Sequence, residues 1–278
     1  MKTLSDAELT ALHDNGYVVI RDLVTGAELQ HCQEETQRLI SEISVGGYAK
    51  RWYVDHKDAA PHSLRHLHAN LNSFSLRLLA HPTIGDALAR TIGSDFLPYA
   101  ESFDFVPPGL TVNGIRSHSD SPVSETKRAF RLEVFLDDLS LDNSRIEMIR
   151  GSHVWDARRR ETVGESGESV DALLVVAGDA VFFSANTVTR MSFAPTEGLR
   201  RFITLDFCSY QEAQSRDGVN KEALLRRISL YQYARYQREI APYADDQQVF
   251  DYAPPEGLPV WTPGEPVDLL ADVMTVDA

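Results

Sequence analysis

Residues 129–138 read AFRLEVFLDD. Successive side chains of an extended chain point to opposite faces, so Phe130, Leu132, Val134 and Leu136 share one face and Arg131, Glu133 and Asp137 the other. That alternation predicts a half-buried antiparallel strand. Similar short stretches, rich in β-branched and aromatic residues and separated by turn residues, lie on both sides: FLPYAESFDFV (96–106), SRIEMIR (144–150), ALLVV (172–176), AVFFSA (180–185) and RRFITLDF (200–207). About eight strands in a row, placed after helices and not alternating with them, predict one antiparallel jelly-roll barrel over residues 96–210. They argue against a doubly wound α/β fold.

Helical signals precede the strands. Ser5 with Glu8 makes a capping box before a short helix that Gly16 is placed to end. YVVIR (17–21) is a strand, and Thr25 with Glu28 makes a second capping box for a helix through about Ile43. The stretch GGYAKRWYVDHKDAAPHSLRHLH is long for a structureless connection, which usually signals a job of its own. A further helix covers about 84–92 and ends at Gly93. After Gln211 come a helical stretch (KEALLRRISLYQYARYQREI) and a Pro-rich, acidic tail read as irregular. The expectation is one domain over 1–278: a helical part to residue 95, a barrel core over 96–210, and a helix and tail over 211–278.

Composition limits the partners. The chain has 278 residues, 43% hydrophobic and 24% charged, enough for a core and too apolar for disorder. Asp plus Glu is 41 against 27 for Lys plus Arg, a net charge of −14 that repels phosphate backbones and anionic lipid. Neither nucleic acid nor a membrane is expected as a partner. No apolar run approaches the roughly 18 residues of a spanning helix, and the first residues carry no apolar signal core, so a cytoplasmic protein is expected. Cys32 and Cys208 are the only cysteines, which excludes a disulfide scaffold, and Cys208 reads as a buried small hydrophobe.

The candidate chemistry lies in GIRSHSDSP (114–122), where His118 and Asp120 stand two residues apart. In a strand these side chains converge on one side. With a second histidine they would form the facial two-His, one-carboxylate site of non-haem Fe(II) oxygenases. His56-Lys57-Asp58 repeats the spacing but lies in a loop ahead of the strands, whereas His118 follows a strand and the turn Pro107-Pro108-Gly109.

The surroundings of that pair resemble the phytanoyl-CoA dioxygenase family of Fe(II)/2-oxoglutarate enzymes. The segments that carry the resemblance are LSDAELTALHDNGYVVIRDLVTGAEL (4–29), HPTIGDALARTIGSDF (81–96) with FVPPG (105–109), LDDLSLDNSRIEMIRGSH (136–153), GDAVFFSANTVTRMS (178–192) and GLRRFITLDF (198–207). They cover roughly residues 4–210 in the family's order. The resemblance implies a mainly β fold with helical additions, a cupin-like double-stranded β-helix with N-terminal helices packed outside it. It implies Fe(II) on His118 and Asp120 and 2-oxoglutarate on Arg200, whose planar guanidinium suits a carboxylate. It also exposes a departure. The family's distal histidine ligand, eleven residues before that arginine, is Thr189 here, and no histidine follows His153. A hydroxyl is a poor Fe(II) ligand beside an imidazole, so weak iron binding is expected.

The leading expectation is therefore an Fe(II)/2-oxoglutarate-dependent oxidoreductase, a dioxygenase acting on a small organic substrate such as a secondary metabolite. His66, His68 and Arg131 are expected to contact that substrate. The aromatics Trp52, Tyr53, Tyr231, Tyr233 and Tyr236 could line a pocket or fill the core. The alternative takes Thr189 at face value. It is a non-oxidative isomerase or cyclase using His118 and Asp120 as acid and base, or a silent subunit. A homodimer, or a heterodimer with a related active subunit, fits either version.

Overall fold

The computed structural model describes residues 3–47, 50, 53–54, 61–70, 73–116, 128–139, 144–161, 169–195, 197–215, 221–243, 249–255, 257–258, 260–265 and 267. His118 and Asp120 lie outside the described residues, as do Trp52, His56 and Asp58.

The N-terminal part follows its signals closely. Helix α1 (Asp6–Asn15) opens on the Ser5/Glu8 capping box, with Glu8 N–H donating to Ser5 Oγ at 3.2 Å and Ser5 N–H to Glu8 Oε2 at 2.7 Å. It ends at Gly16, which takes a left-handed φ of 89°. Glycine is required there twice over: an L side chain resists that φ, and a Cβ would stand 2.5 Å from the His153 ring. Strand β1 (Tyr17–Ile20) and helix α2 (Gly26–Ser44) come next. Thr25 precedes α2 but makes no side-chain cap. The expected second capping box is absent because Glu28 turns into the core, where Arg238 grips it at 2.8 and 3.0 Å.

The long connection contributes strands β2 (Tyr53–Val54) and β3 (His62–Arg65), a 3-10 turn at Leu67–Asn70 and helix α3 (Ser73–Leu79). Helix α4 (Pro82–Thr91) begins two residues earlier than its pattern suggested, because the His81 ring caps Thr83 N–H at 3.2 Å. Eight strands follow, as the sequence pattern predicts: β4 (Phe96–Val106), β5 (Val112–Arg116), β6 (Ala129–Phe135), β7 (Ser144–Ile149), β8 (Val170–Leu173), β9 (Ala180–Ser184), β10 (Thr189–Phe193) and β11 (Arg200–Ser209). A short helix α5 (Ala157–Glu161) lies between β7 and β8, and α6 (Tyr210–Gln214) and α7 (Lys221–Ile240) follow β11.

All strand pairs are antiparallel. They form a seven-stranded sheet, β1-β9-β6-β11-β4-β3-β2, and a four-stranded sheet, β5-β10-β7-β8. This is the cupin-like jelly roll, with apolar packing on both sides of the larger sheet. Between the sheets lie Val106, Phe135, Ile146, Met148, Phe183, Met191, Phe193 and Phe202. On the other side, Leu132, Val134, Phe103, Ile203 and Leu205 pack with residues of α2, α3, α4 and α7.

The strand that opened the sequence reading alternates as expected, but its faces point in an unanticipated direction. Leu132 and Val134 pack outward beneath the helices, while Arg131, Glu133 and Phe135 face the barrel interior. A period of two fixes which residues share a face. It does not say whether the polar face meets bulk water or a walled cavity.

Two devices close the barrel. Tyr17 OH, on β1, donates to the Asp171 carboxylate of β8, and Arg21 Nη1 donates to Leu174 O at 2.7 Å. The Gly178-Asp179-Ala180 turn has a separate task. Asp179, 1% exposed, accepts Asp22 N–H (3.0 Å), Val176 N–H (3.1 Å) and Arg21 Nη1 (2.5 Å), tying the β1–α2 turn to the start of β9. A Cβ on Gly178, whose φ is 94°, would lie 2.2 Å from Val24 O.

Both cysteines are buried and free. Tyr231 is a core residue, wedged against Phe96 and Tyr252. Tyr233 and Tyr236 stand against Trp261 instead of lining a pocket. Among the described residues, no helix is long and apolar enough to cross a membrane.

Candidate active site

The interior can be built row by row from the strand registers. In the large sheet, Asp206 stands beside Arg131 and Ala100, Thr204 beside Glu133 and Ser102, and Phe202 beside Phe135 and Asp104. Arg200 stands beside Val106. In the small sheet, Thr189 stands beside Arg116 and Met148, Met191 beside Gly114 and Ile146, and Phe193 beside Val112 and Ser144.

Two contacts align these rows across the barrel. At one end Arg200 reaches the small sheet, donating through Nη1 to Ala194 O at 2.6 Å and lying 5.1 Å above the Phe193 ring. At the other end Tyr17 meets Asp171. Tyr17 is in register with Phe183, and Phe183 with Arg131; Asp171 is in register with Met148, and Met148 with Thr189. Thr189 therefore stands at the level of the Arg131–Asp206 pair, and Arg200 three rows further along.

Arg200 is 4% exposed. Its Nη1 also reaches Ser144 Oγ at 3.4 Å, and its Nη2 reaches Leu110 O at 3.3 Å. Its Nε is buried with no hydrogen-bond partner, and no carboxylate faces it among the described residues. Those three bonds use three of the five N–H donors of a guanidinium, leaving the Nε–Nη2 edge to fork a carboxylate. Burial without a counter-ion holds its pKa below the ordinary arginine value.

Arg131 uses the same edge differently. Its Nε and Nη2 grip Asp206 at 2.6 and 2.9 Å. Burial alone would lower its pKa, but the Asp206 charge outweighs that and the net direction is upward. Nearby, Asp104 accepts Ser102 Oγ (2.7 Å) and Thr204 Oγ1 (2.9 Å), and Glu133 is 1% exposed. The row of Thr189 thus faces a polar floor, and the row of Arg200 an apolar one.

The remaining expected residues are placed as follows. Thr189 is 1% exposed and shares the inner face of β10 with Met191 and Phe193. His66, with a left-handed φ of 56°, is half-buried beside His68. The buried His68 turns its Nδ1 to the Glu101 carboxylate, on the face of β4 that carries Phe103 and Phe105. Arg227 of α7 reaches the other Glu101 oxygen at 3.4 Å. His153 is held outside this constellation, its Nε2 donating to His13 O at 3.0 Å and its ring lying against Gly16. Of the expected set, Thr189, Arg131 and Arg200 line the interior, and His68 does not. Asp206 and Glu133 also line it. Glu133 lies on the same face of AFRLEVFLDD as Arg131, the expected substrate contact, and Asp206 pairs with Arg131 from the neighbouring strand.

Solved structures share this jelly-roll fold. The epimerase SnoN from nogalamycin biosynthesis is similar at 15% identity, over 73% of this chain and 80% of that one, with a TM-score of 0.62. The carbocyclase SnoK of the same biosynthesis is similar at 15% identity, over 74% and 84%, with a TM-score of 0.60. EctD from S. alaskensis with 2-oxoglutarate and 5-hydroxyectoine is similar at 17% identity, over 76% and 78%, with a TM-score of 0.63. No curated protein sequence matches significantly. The family model described as phytanoyl-CoA dioxygenase (PhyH) matches residues 12–193, and the chain belongs to that family.

Proposed function

We propose that the protein is a 2-oxoglutarate-binding, iron-dependent oxidoreductase acting on a small organic substrate within the barrel. The observation that carries this reading is Arg200, a buried cation whose Nε–H has no protein partner and whose Nη2, bonded once to Leu110 O, keeps a second N–H to complete a carboxylate fork. The geometry fits a dicarboxylate cosubstrate whose distal carboxylate takes that edge, with the Phe193 ring beside it. Iron would be held loosely by His118 and Asp120, with Thr189 where the family's third ligand is missing, and when bound with 2-oxoglutarate it would supply the oxidising power for attack on a C–H bond. The protein's own residues position and shield. The apolar rows around Phe135, Phe202 and Phe193 exclude water from the Arg200 end, and the polar floor orients the substrate's functional groups.

Thr189 favours a second reading. With a hydroxyl where the family carries an imidazole, the barrel would bind iron loosely. It would then act without oxidation, with His118 and Asp120 as acid and base, or serve as a silent subunit. A paired anaerobic titration with Fe(II), followed by succinate analysis after air is admitted, separates the two readings. The first predicts weak iron but 2-oxoglutarate-dependent succinate from the wild type, with at least about tenfold tighter iron and more succinate in Thr189→His, since even outer ligand partners shift affinity about 10–100-fold. Tight stoichiometric iron in the wild type would assign the third ligand to another residue. No 2-oxoglutarate turnover in either protein would favour the non-oxidative reading.

A further inference from the structure

Arg200 ties three segments of the barrel together. Leu110, whose carbonyl accepts from Nη2 at 3.3 Å, follows the Pro107-Pro108-Gly109 turn between β4 and β5. Ala194, whose carbonyl accepts from Nη1 at 2.6 Å, stands directly after β10. Ser144 opens β7, and its Oγ accepts from Nη1 at 3.4 Å. All three acceptors are uncharged. Two are main-chain carbonyls, which any residue would supply. Among the described residues, Ser144 is the one side chain that holds the guanidinium by a hydrogen bond.

The fold puts Ser144 in place for this. The β7–β10 register sets it opposite Phe193, whose ring lies 5.1 Å from the Arg200 guanidinium. Directly opposed residues of an antiparallel pair share a face, so Ser144 turns inward with Phe193. It is 3% exposed, and among the described residues its Oγ has no other hydrogen-bond partner. Both donors of Nη1 and one of Nη2 are thus engaged, and the Nε–H and the second Nη2–H remain, on one edge. A guanidinium is planar, so fixing Nη1 from two directions fixes where that edge points. A carboxylate at position 144 would also hold Nη1, but it would neutralise the cation. A hydroxyl aims the group and leaves its charge to a ligand.

We propose that Ser144 is a positioning residue for the cosubstrate: its hydroxyl orients Arg200 so that the Nε–Nη2 edge receives the distal carboxylate of 2-oxoglutarate. This rests on the reading of Arg200 as the 2-oxoglutarate ligand. The test is calorimetric titration of the intact protein with 2-oxoglutarate, paired with melting of the same unliganded preparations. Ser144→Ala is expected to bind 2-oxoglutarate about 3- to 10-fold more weakly, the worth of one hydrogen bond. Ser144→Cys keeps the volume but offers only a weak sulfur acceptor, and it should match the Ala variant. Ser144→Asp should bind at least about 30-fold more weakly, because a like charge then faces the dicarboxylate. Its unliganded melting temperature should nevertheless equal or exceed that of the wild type, since the buried cation gains a counter-ion. Wild-type affinity in Ser144→Cys would show that the side chain only fills space, and would overturn the proposal. So would unchanged affinity in Ser144→Ala, or losses that simply track falling melting temperatures across the variants. If Ser144→Asp does not fold, the Ala and Cys variants decide. Failure of the wild type to bind 2-oxoglutarate overturns the cosubstrate reading instead.

Discussion

Replacing Arg200 by methionine should separate binding from stability. Met retains much of the stem over Phe193 and deletes the cation. If a carboxylate takes the Nε–Nη2 edge, the change removes two charge-assisted hydrogen bonds from a site that is 4% exposed. Truncating one partner of a buried charge pair costs about 2–5 kcal/mol, so 2-oxoglutarate should bind about 30-fold to a few thousand-fold more weakly. The free protein should behave differently. It loses the bonds to Ala194 O, Leu110 O and Ser144 Oγ, at about 0.5–1.5 kcal/mol each. It also sheds an unmatched buried charge, whose desolvation costs several kcal/mol. The two contributions oppose each other, and the melting temperature of the unliganded variant should move by only a few degrees. Isothermal titration with 2-oxoglutarate and differential scanning calorimetry of the same preparations test this. A fall in melting temperature on the order of 10 °C, the signature of a broken structural pair, would refute the reasoning, as would unchanged 2-oxoglutarate affinity.

Two further outcomes follow from groups away from the barrel interior. Glu28→Gln should destabilise the fold by about 3–5 kcal/mol because it strands Arg238, which is 1% exposed, whereas the double change Glu28→Met with Arg238→Met should recover most of that loss in urea unfolding. His31 Nδ1 accepts from Arg77 Nη2 at 2.9 Å and faces Tyr243 OH at 2.8 Å; burial, then the Arg77 charge, holds its pKa below 6.5. Above pH 6.5 neither state binds the proton. As the pH falls from there towards the folded-state value the unfolded chain binds it first, so stability is lost over that window. His31→Gln should lose less stability than the wild type between pH 7 and 5; equal slopes would assign the loss elsewhere.

Much of the fold was legible because it is written in local signals. The Ser5 box, Gly16 and the eight strands all rest on neighbours in sequence. The Thr25 box looked as good as the first and failed because Glu28 is claimed by Arg238, 210 residues away, a competition invisible to local pattern. Helix α3 has only seven residues, too few for a helical period to stand out. The short strands β2 and β3 were hidden in a stretch whose Gly, His and aromatic content reads as loop. In the site, Thr189 and Arg200 came from the family resemblance and the eleven residues between them, and the Asp179 hydrogen bonds fix the turn that leads into that segment. Asp206 looked like one more strand-end charge, and its grip on Arg131 spans 75 residues.

The outward-facing apolar side of β6 has a consequence for how variation in this chain would be tolerated. Along β6 the odd positions 131, 133 and 135 line the cavity and the even positions 132 and 134 lie beneath the helices. Along β11 the order reverses, with 200, 202, 204 and 206 inside and 201, 203 and 205 outside, as far as the irregularity at Asp206/Phe207. Helix packing and the cavity are thus written on alternate letters of the same two segments. A lineage could rewrite the inner letters to accept a new substrate while leaving the outer ones untouched, so abundance and specificity can drift as nearly independent traits.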